Sequence, residues 1–167
     1  YLPAYYDEPN VEYWALVNGV TIWDVGCERI VGVSGPDASE FIDTLTCRDL
    51  TKCAVGQCKY MPVIAQTGGI VNDPVLLRIE RDRWWMALAD SDAGLFALGV
   101  AAHAGKRVAI SYPAVHPIQV QGPKSKDTLR RLFGDELLSL RYYHCREADL
   151  DGIPVVISRT GWTAVVG

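Results

Sequence analysis

Long apolar runs are missing from this sequence. No stretch of about 18 or more apolar residues occurs, so a membrane-spanning helix is not expected. Positive charge is also in short supply: 16 Lys and Arg stand against 20 Asp and Glu, for a net charge of −4. A phosphate backbone is repelled by that balance. The densest basic stretch, Lys124 to Lys126 followed by Arg130 and Arg131, reads as a solvated helix face, so nucleic acid is not an expected partner. There is no CxxC pair. The five cysteines, Cys27, Cys47, Cys53, Cys58 and Cys145, are odd in number. The Cys53–Cys58 spacing is not that of a zinc ribbon. They read as reduced thiols packed as small hydrophobes, which fits a cytoplasmic setting and no bound metal.

Other absences narrow the chemistry. The sequence has no GxGxxG after a strand, no GxxxxGK[ST] and no GxSxG, so it carries no dinucleotide, P-loop or nucleophile-elbow fingerprint. His103, His116 and His144 are scattered without metal-ligand spacing and read as surface or structural residues. The opening YLPAYYDEPN lacks the basic and apolar regions of a signal peptide, and it lacks an initiator Met. A piece of a longer protein is the expectation.

What is present is ordinary globular composition, 49% hydrophobic and 22% charged, without low-complexity segments, internal repeats or linkers. Helices are expected over Val11–Gly19, from Pro36 through Leu45, over Ser91–Gly105 and over Lys124–Phe133. In the second, Ala38, Phe41, Ile42 and Leu45 fall on one face, and the turn Ser34–Asp37 caps it, with Asp37 and Glu40 suited to its first turn. Strands are expected over Thr21–Val33, Gln57–Ala65, Ile70–Ile79, Arg83–Ala89, Arg107–Tyr112 and Ile118–Gln121. A closing hairpin, Tyr142–Ala148 with Ile153–Arg159, turns at Asp151-Gly152. Short turns join most neighbouring strands. That predicts an α+β fold of mainly antiparallel sheets with flanking helices.

The hairpin turning at Gln66–Gly69 holds the most suggestive residues. Asp73 stands directly before Pro74, which gives no N–H and forces an extended backbone on the residue before it. A carboxylate so placed either projects from a strand edge into a cleft or simply belongs to a polar bulge with Asn72. Trp84 and Trp85 are adjacent on one strand, so their side chains point to opposite faces. One is expected in the core, and the other is free to line a pocket for a flat heterocycle. Tyr60 and Trp162, near turns, can do the same or pack internally.

Several motifs occur in order: Trp23–Arg29 (WDVGCER), Thr46–Leu50 (TCRDL), Gly56–Tyr60 (GQCKY), Asn72–Val75 (NDPV), Trp84-Trp85 followed by Asp90-Ser91-Asp92, Gln121–Ser125 (QGPKS) and Arg159–Thr163 (RTGWT). As an ordered set they resemble the folate-dependent aminomethyltransferase superfamily, which includes the glycine cleavage T-protein. Within it they are most similar to the dimethylsulfoniopropionate demethylase branch. Glycine cleavage T-proteins show DVSHM at the first site and a paired DD at the hairpin, where this sequence has Gly26-Cys27-Glu28 and Asn72-Asp73.

The resemblance implies the folate-binding fold of the T-protein type, tetrahydrofolate as cofactor, and transfer of a methyl group from dimethylsulfoniopropionate or a similar small donor. It implies that Asp73 is the catalytic hairpin aspartate, and that Tyr60, Asn72, Asp73 and Trp162 lie at the cofactor. It further implies that residues 1–167 are an N-terminal folate-binding region with 51–114 as an inserted αβ subdomain. Family members continue into a strand carrying pteridine-anchoring residues and then a C-terminal barrel domain, so the region alone is expected to bind folate weakly. Three alternatives stay open: an aminomethyltransferase working with a lipoylated carrier protein, a folate-binding protein without transfer activity, and an aromatic O-demethylase.

Overall fold

The computed structural model describes residues 4–89 and 92–161. Helix α1 (Pro9–Asn18) precedes β1 (Thr21–Asp24), β2 (Ile30–Ser34) and α2 (Ala38–Thr44). Then come β3 (Cys58–Tyr60), β4 (Val63–Ile64), β5 (Ile70–Asn72), β6 (Val75–Glu80) and β7 (Arg83–Ala87). Helix α3 (Ala93–Ala104), β8 (Ala109–Ser111), β9 (Ile118–Gln121), α4 (Ser125–Phe133), a 3₁₀ turn (Asp135–Ser139), β10 (His144–Leu150) and β11 (Ile153–Arg159) complete the order. Among the described residues every strand pairing is antiparallel, which is the α+β architecture the sequence predicts.

A five-stranded sheet in the order β3-β6-β7-β2-β8 forms the centre. One face, through Val31, Val33, Leu76, Trp84 and Met86, meets Ala38, Phe41 and Ile42 of α2 and Ala93 and Ala97 of α3. The helical spacing seen in α2 is therefore the core-facing stripe. Burying Phe41 and Trp84 alone contributes about 1.5–3 kcal/mol each by area. The other face, through Cys58, Leu77, Ile79 and Trp85, meets Tyr143, Cys145 and Val156 of the β10–β11 segment. The sheet is thus covered by helices on one side and by a hairpin on the other.

Three expectations need correction. Thr21–Val33 is two strands, not one: β1 pairs with β9 and β2 with β7 and β8. The Asp24 carboxylate accepts the Gly26 amide at 2.9 Å and turns the chain between them. The alternation of apolar residues runs on through that turn, which hides it. Gln57–Ala65 and Ile70–Ile79 are each interrupted, at Met61-Pro62 and at Asp73-Pro74. Finally, α2 begins at Ala38, not at Pro36, so Asp37 stands at its N-cap position and not in its first turn. Its carboxylate accepts the Arg107 backbone amide at 2.8 Å and the guanidinium at 3.1 and 3.2 Å.

Two junctions share one geometry that composition did not announce. Ser34-Gly35-Pro36 leads β2 into α2, and Gln121-Gly122-Pro123 leads β9 into α4. The glycines have φ of 126° and 123°, a region that disfavours any side chain. Each carbonyl accepts the amide three residues on, from Ala38 at 3.0 Å and Ser125 at 2.9 Å. A Cβ on Gly122 would lie 2.5 Å from the Gly19 carbonyl oxygen at the end of α1. Gly122→Ala is expected to destabilise the protein by about 2–4 kcal/mol, from backbone strain plus that clash; denaturant titration of the two proteins measures it.

Candidate active site at the interrupted hairpin

The two halves of the central hairpin share one register. Tyr60 pairs with Val75 and, three residues on, Val63 pairs with Asn72. Between them Pro62 falls opposite Asp73. The Met61 amide still reaches the Pro74 carbonyl at 2.9 Å, but the Pro74 nitrogen on the same side has no N–H to return. The ladder opens there without slipping, and the register shifts only beyond Val63, toward the turn.

Alternation along this extended strand sends neighbours to opposite sides. Asn72, Pro74 and Leu76 turn to the helix-covered core and are buried. Asp73 and Val75 turn the other way, to the face that holds Cys58, Tyr60, Leu77 and Trp85. On that face the Tyr60 hydroxyl donates to Asp73 Oδ2 at 3.3 Å. The two residues are diagonal neighbours across the hairpin, within reach of a long side chain. Both are half-buried. The Tyr60 phenol is held above the usual tyrosine range, first by burial, then by the Asp73 charge and the hydrogen bond to it.

Of the residues singled out from sequence, Tyr60 and Asp73 therefore come together. Asn72 lies on the opposite side of the strand, 5% exposed, and its Nδ2 donates to the Ala89 carbonyl at 3.0 Å. Trp162 lies outside the described residues. Trp84 is the core tryptophan, 1% exposed, with its Nε1 donating to Ser39 Oγ at 3.3 Å. Trp85 is half-buried on the Asp73 face.

Two residues near the pair escaped the sequence reading. Arg48 donates from Nη1 to the Tyr60 carbonyl at 3.1 Å and ties the segment after α2 to the hairpin; its place in the TCRDL motif was the available signal. Tyr143 has φ of 56°, a left-handed backbone that a bulky residue adopts at a cost. Its carbonyl accepts the Cys58 amide at 2.8 Å, two residues before Tyr60. Nothing in its sequence context foretells that conformation.

The remaining titratable groups stand apart. His116 Nε2 contacts Asp24 Oδ1 at 2.8 Å on the surface; the Gly26 amide, and after it His116, holds the Asp24 carboxyl below its usual range. His103 and His144 contact the backbone carbonyls of Gly99 and Tyr142. The Cys58 thiol is pushed up by its hydrogen bond with Cys145 and by burial, so it is a poor nucleophile. Among the described residues no group of three His, Cys, Asp or Glu side chains is placed to hold a metal. None of the described helices is long and apolar enough to cross a membrane. An open cleft of about 540 Å³ lies elsewhere, lined by Thr46, Cys47, Ile64, Gln66, Phe96 and Val100 among others. Neither Tyr60 nor Asp73 lines it.

The family model described as the GCVT N-terminal domain matches residues 1–167. The chain belongs to that family. Among curated proteins, it is 36% identical over 162 residues to the dimethylsulfoniopropionate demethylase DmdA of Ruegeria pomeroyi, covering 97% of this chain and 44% of that one. It is 29% identical over 170 residues to the aminomethyltransferase of Thermotoga neapolitana, covering 99% of this chain and 47% of that one. The chain thus spans about half the length of the curated relatives it matches. Among solved structures, the glycine cleavage system aminomethyltransferase T of Bartonella henselae superposes with a TM-score of 0.81 at 21% identity, over 93% of this chain and 42% of that one. That likeness establishes the T-protein type of fold for this GCVT-family chain.

The Tyr60–Asp73 contact has a direct test. In ¹³C-tyrosine NMR titrations Tyr60 is expected to ionise above the ordinary tyrosine range. Asp73→Asn removes the neighbouring charge and should bring that ionisation down toward, but not to, the ordinary value, because burial remains. An unchanged Tyr60 titration in Asp73→Asn would contradict the contact.

Proposed function

We propose that the protein moves a one-carbon unit to tetrahydrofolate, and that the unit is a methyl group taken from dimethylsulfoniopropionate or a similar small donor. The observation that carries this reading is the half-buried Asp73 carboxylate held by the Tyr60 hydroxyl at 3.3 Å on an interrupted hairpin. The 36% identity to a dimethylsulfoniopropionate demethylase supports the choice of donor. A cytoplasmic setting belongs to the same reading and is supported by five free cysteines.

The residues fit a reduced folate chemically. A carboxylate accepts the N–H groups that a pterin presents, and Tyr60 offers an aromatic edge beside it. When bound, tetrahydrofolate supplies the nitrogen nucleophile that accepts the carbon. Asp73 contributes a fixed negative charge that offsets positive charge developing on the acceptor. Tyr60 holds that carboxylate in one orientation, and the half-burial of both limits screening by water. A sulfonium donor is already a good leaving group, so no strong acid is required of the protein. Positioning of the reactants then carries most of the work, and it can lower a barrier by about 7–11 kcal/mol.

Transfer of an aminomethyl-derived carbon is the second reading, supported by the 29% identity to aminomethyltransferases over nearly the whole chain. Asn72 and the Gly26-Cys27-Glu28 segment count against it, since the T-proteins it would resemble carry an acidic pair and DVSHM there. The full-length protein, incubated with tetrahydrofolate and each donor, is expected to yield 5-methyltetrahydrofolate. The 5,10-methylene product with a lipoylated carrier protein would instead favour the second reading. Neither product would leave a folate-binding role without transfer. Asp73→Asn is expected to lose most turnover with its circular dichroism unchanged, and near-normal transfer by that variant would sink the assignment of Asp73.

A further inference from the structure

Asn72 neighbours Asp73 in sequence yet faces away from it. A buried amide is costly unless its polar atoms are bonded, and this one spends its Nδ2 on the Ala89 carbonyl at 3.0 Å. Ala89 lies just past the end of β7. The β6–β7 register, with Val75 opposite Ala87, brings Ala89 opposite Asp73 when continued by two residues. At this level the strand has few backbone bonds to hold it. Pro74, whose carbonyl accepts the Met61 amide on the β3 side, has no N–H to return to it.

We propose that Asn72 is a positioning residue that fixes where the Asp73 carboxylate sits, by tethering the open section of the hairpin to the end of β7 through the Ala89 carbonyl. Its side-chain amide adds a bond on the β7 side of a strand whose Pro74 nitrogen gives none on the β3 side. This role differs from contact with a cofactor, because the side chain lies on the core side of the strand. It rests on the reading of Asp73 as the site carboxylate.

The tether requires a hydrogen-bond donor, which gives a test with a distinctive sign. In Asn72→Asp the new carboxyl is buried and faces a carbonyl. Both favour its protonated form, and the protonated form can donate to Ala89 as the amide does. Of the neighbours that define the site, Val63 opposite and Ala89 beyond carry no charge. Asp73 is charged but projects from the other face, and Asp90 follows Ala89 in sequence. Turnover of Asn72→Asp in the full-length protein is therefore expected to be retained at low pH. It should fall about tenfold for each pH unit above the pKa of the new carboxyl, a limb absent from the wild type. Asn72→Leu, which keeps volume without a donor, should lower kcat at least about tenfold at every pH with a smaller change in KM. In an Asp73→Asn background it should cost little further, because both changes act through one group.

The Tyr60 titration reads the position of Asp73 without any turnover. Asn72→Leu should bring the Tyr60 ionisation down toward that of Asp73→Asn. A Tyr60 titration unchanged in Asn72→Leu would overturn the proposal, whether or not the protein transfers a one-carbon unit. So would a wild-type-like pH profile in Asn72→Asp. Failure of the wild type itself to form a folate product would instead count against the proposed function, leaving the titration to decide the tether.

Discussion

Pro74 withholds an amide hydrogen from the middle of the central hairpin, where its nitrogen faces Met61, and the candidate site is arranged around that gap. A proline in a ladder normally marks an edge or a bulge. Here the strands on both sides keep the same register, so the gap opens without a slip. A slip of one residue would send Asp73 into the helix-covered core and bring Asn72 out to Tyr60. The gap is also where a polar side chain can stand on a strand without competing with a complete set of backbone bonds.

The layers on either side divide the labour between neighbouring residues. The helix side takes Asn72, Pro74 and Leu76 into a core with Phe41, Trp84 and Met86. The hairpin side takes Val75, Leu77 and Trp85 against Cys145 and Val156, with Asp73 and Tyr60 toward its margin. The pair therefore sits on a rigid element, braced from behind by the larger core, and not on a free loop. Arg48 adds a bond to the Tyr60 carbonyl, so the segment after α2 reports to the same place.

Much of this was legible in the sequence, and the illegible parts have physical reasons. The stripe Ala38, Phe41, Ile42 and Leu45 named α2 and its buried face, because helical spacing is local. The turn at Asp151-Gly152 named the last hairpin, because positive φ there limits the residues that fit. The break inside Thr21–Val33 stayed hidden, since an apolar alternation continues when a strand changes sheets. That Trp84 and Trp85 divide between two faces followed from adjacency, but which of them is core depended on distant α2. The approach of Tyr60 to Asp73 could not be read from spacing, because a shift beyond Val63 sets the pairing. The ordered family motifs supplied both residues where spacing left Asp73 open, and the core-facing side of Asn72 needed the backbone itself.

The unbroken register also separates the tip of the hairpin from its functional section. Residues Gln66 to Ile70 are exposed, and a side chain at Gly68 would meet nothing within 4 Å. The pairing of Val63 with Asn72, below the tip, already locks the strands. Length at the tip is therefore a free variable. Extra residues inserted after Thr67 would extend outward from that locked pair without moving the carboxylate. Such an extension would be a natural place for related chains to differ, and a practical place to attach a reporter.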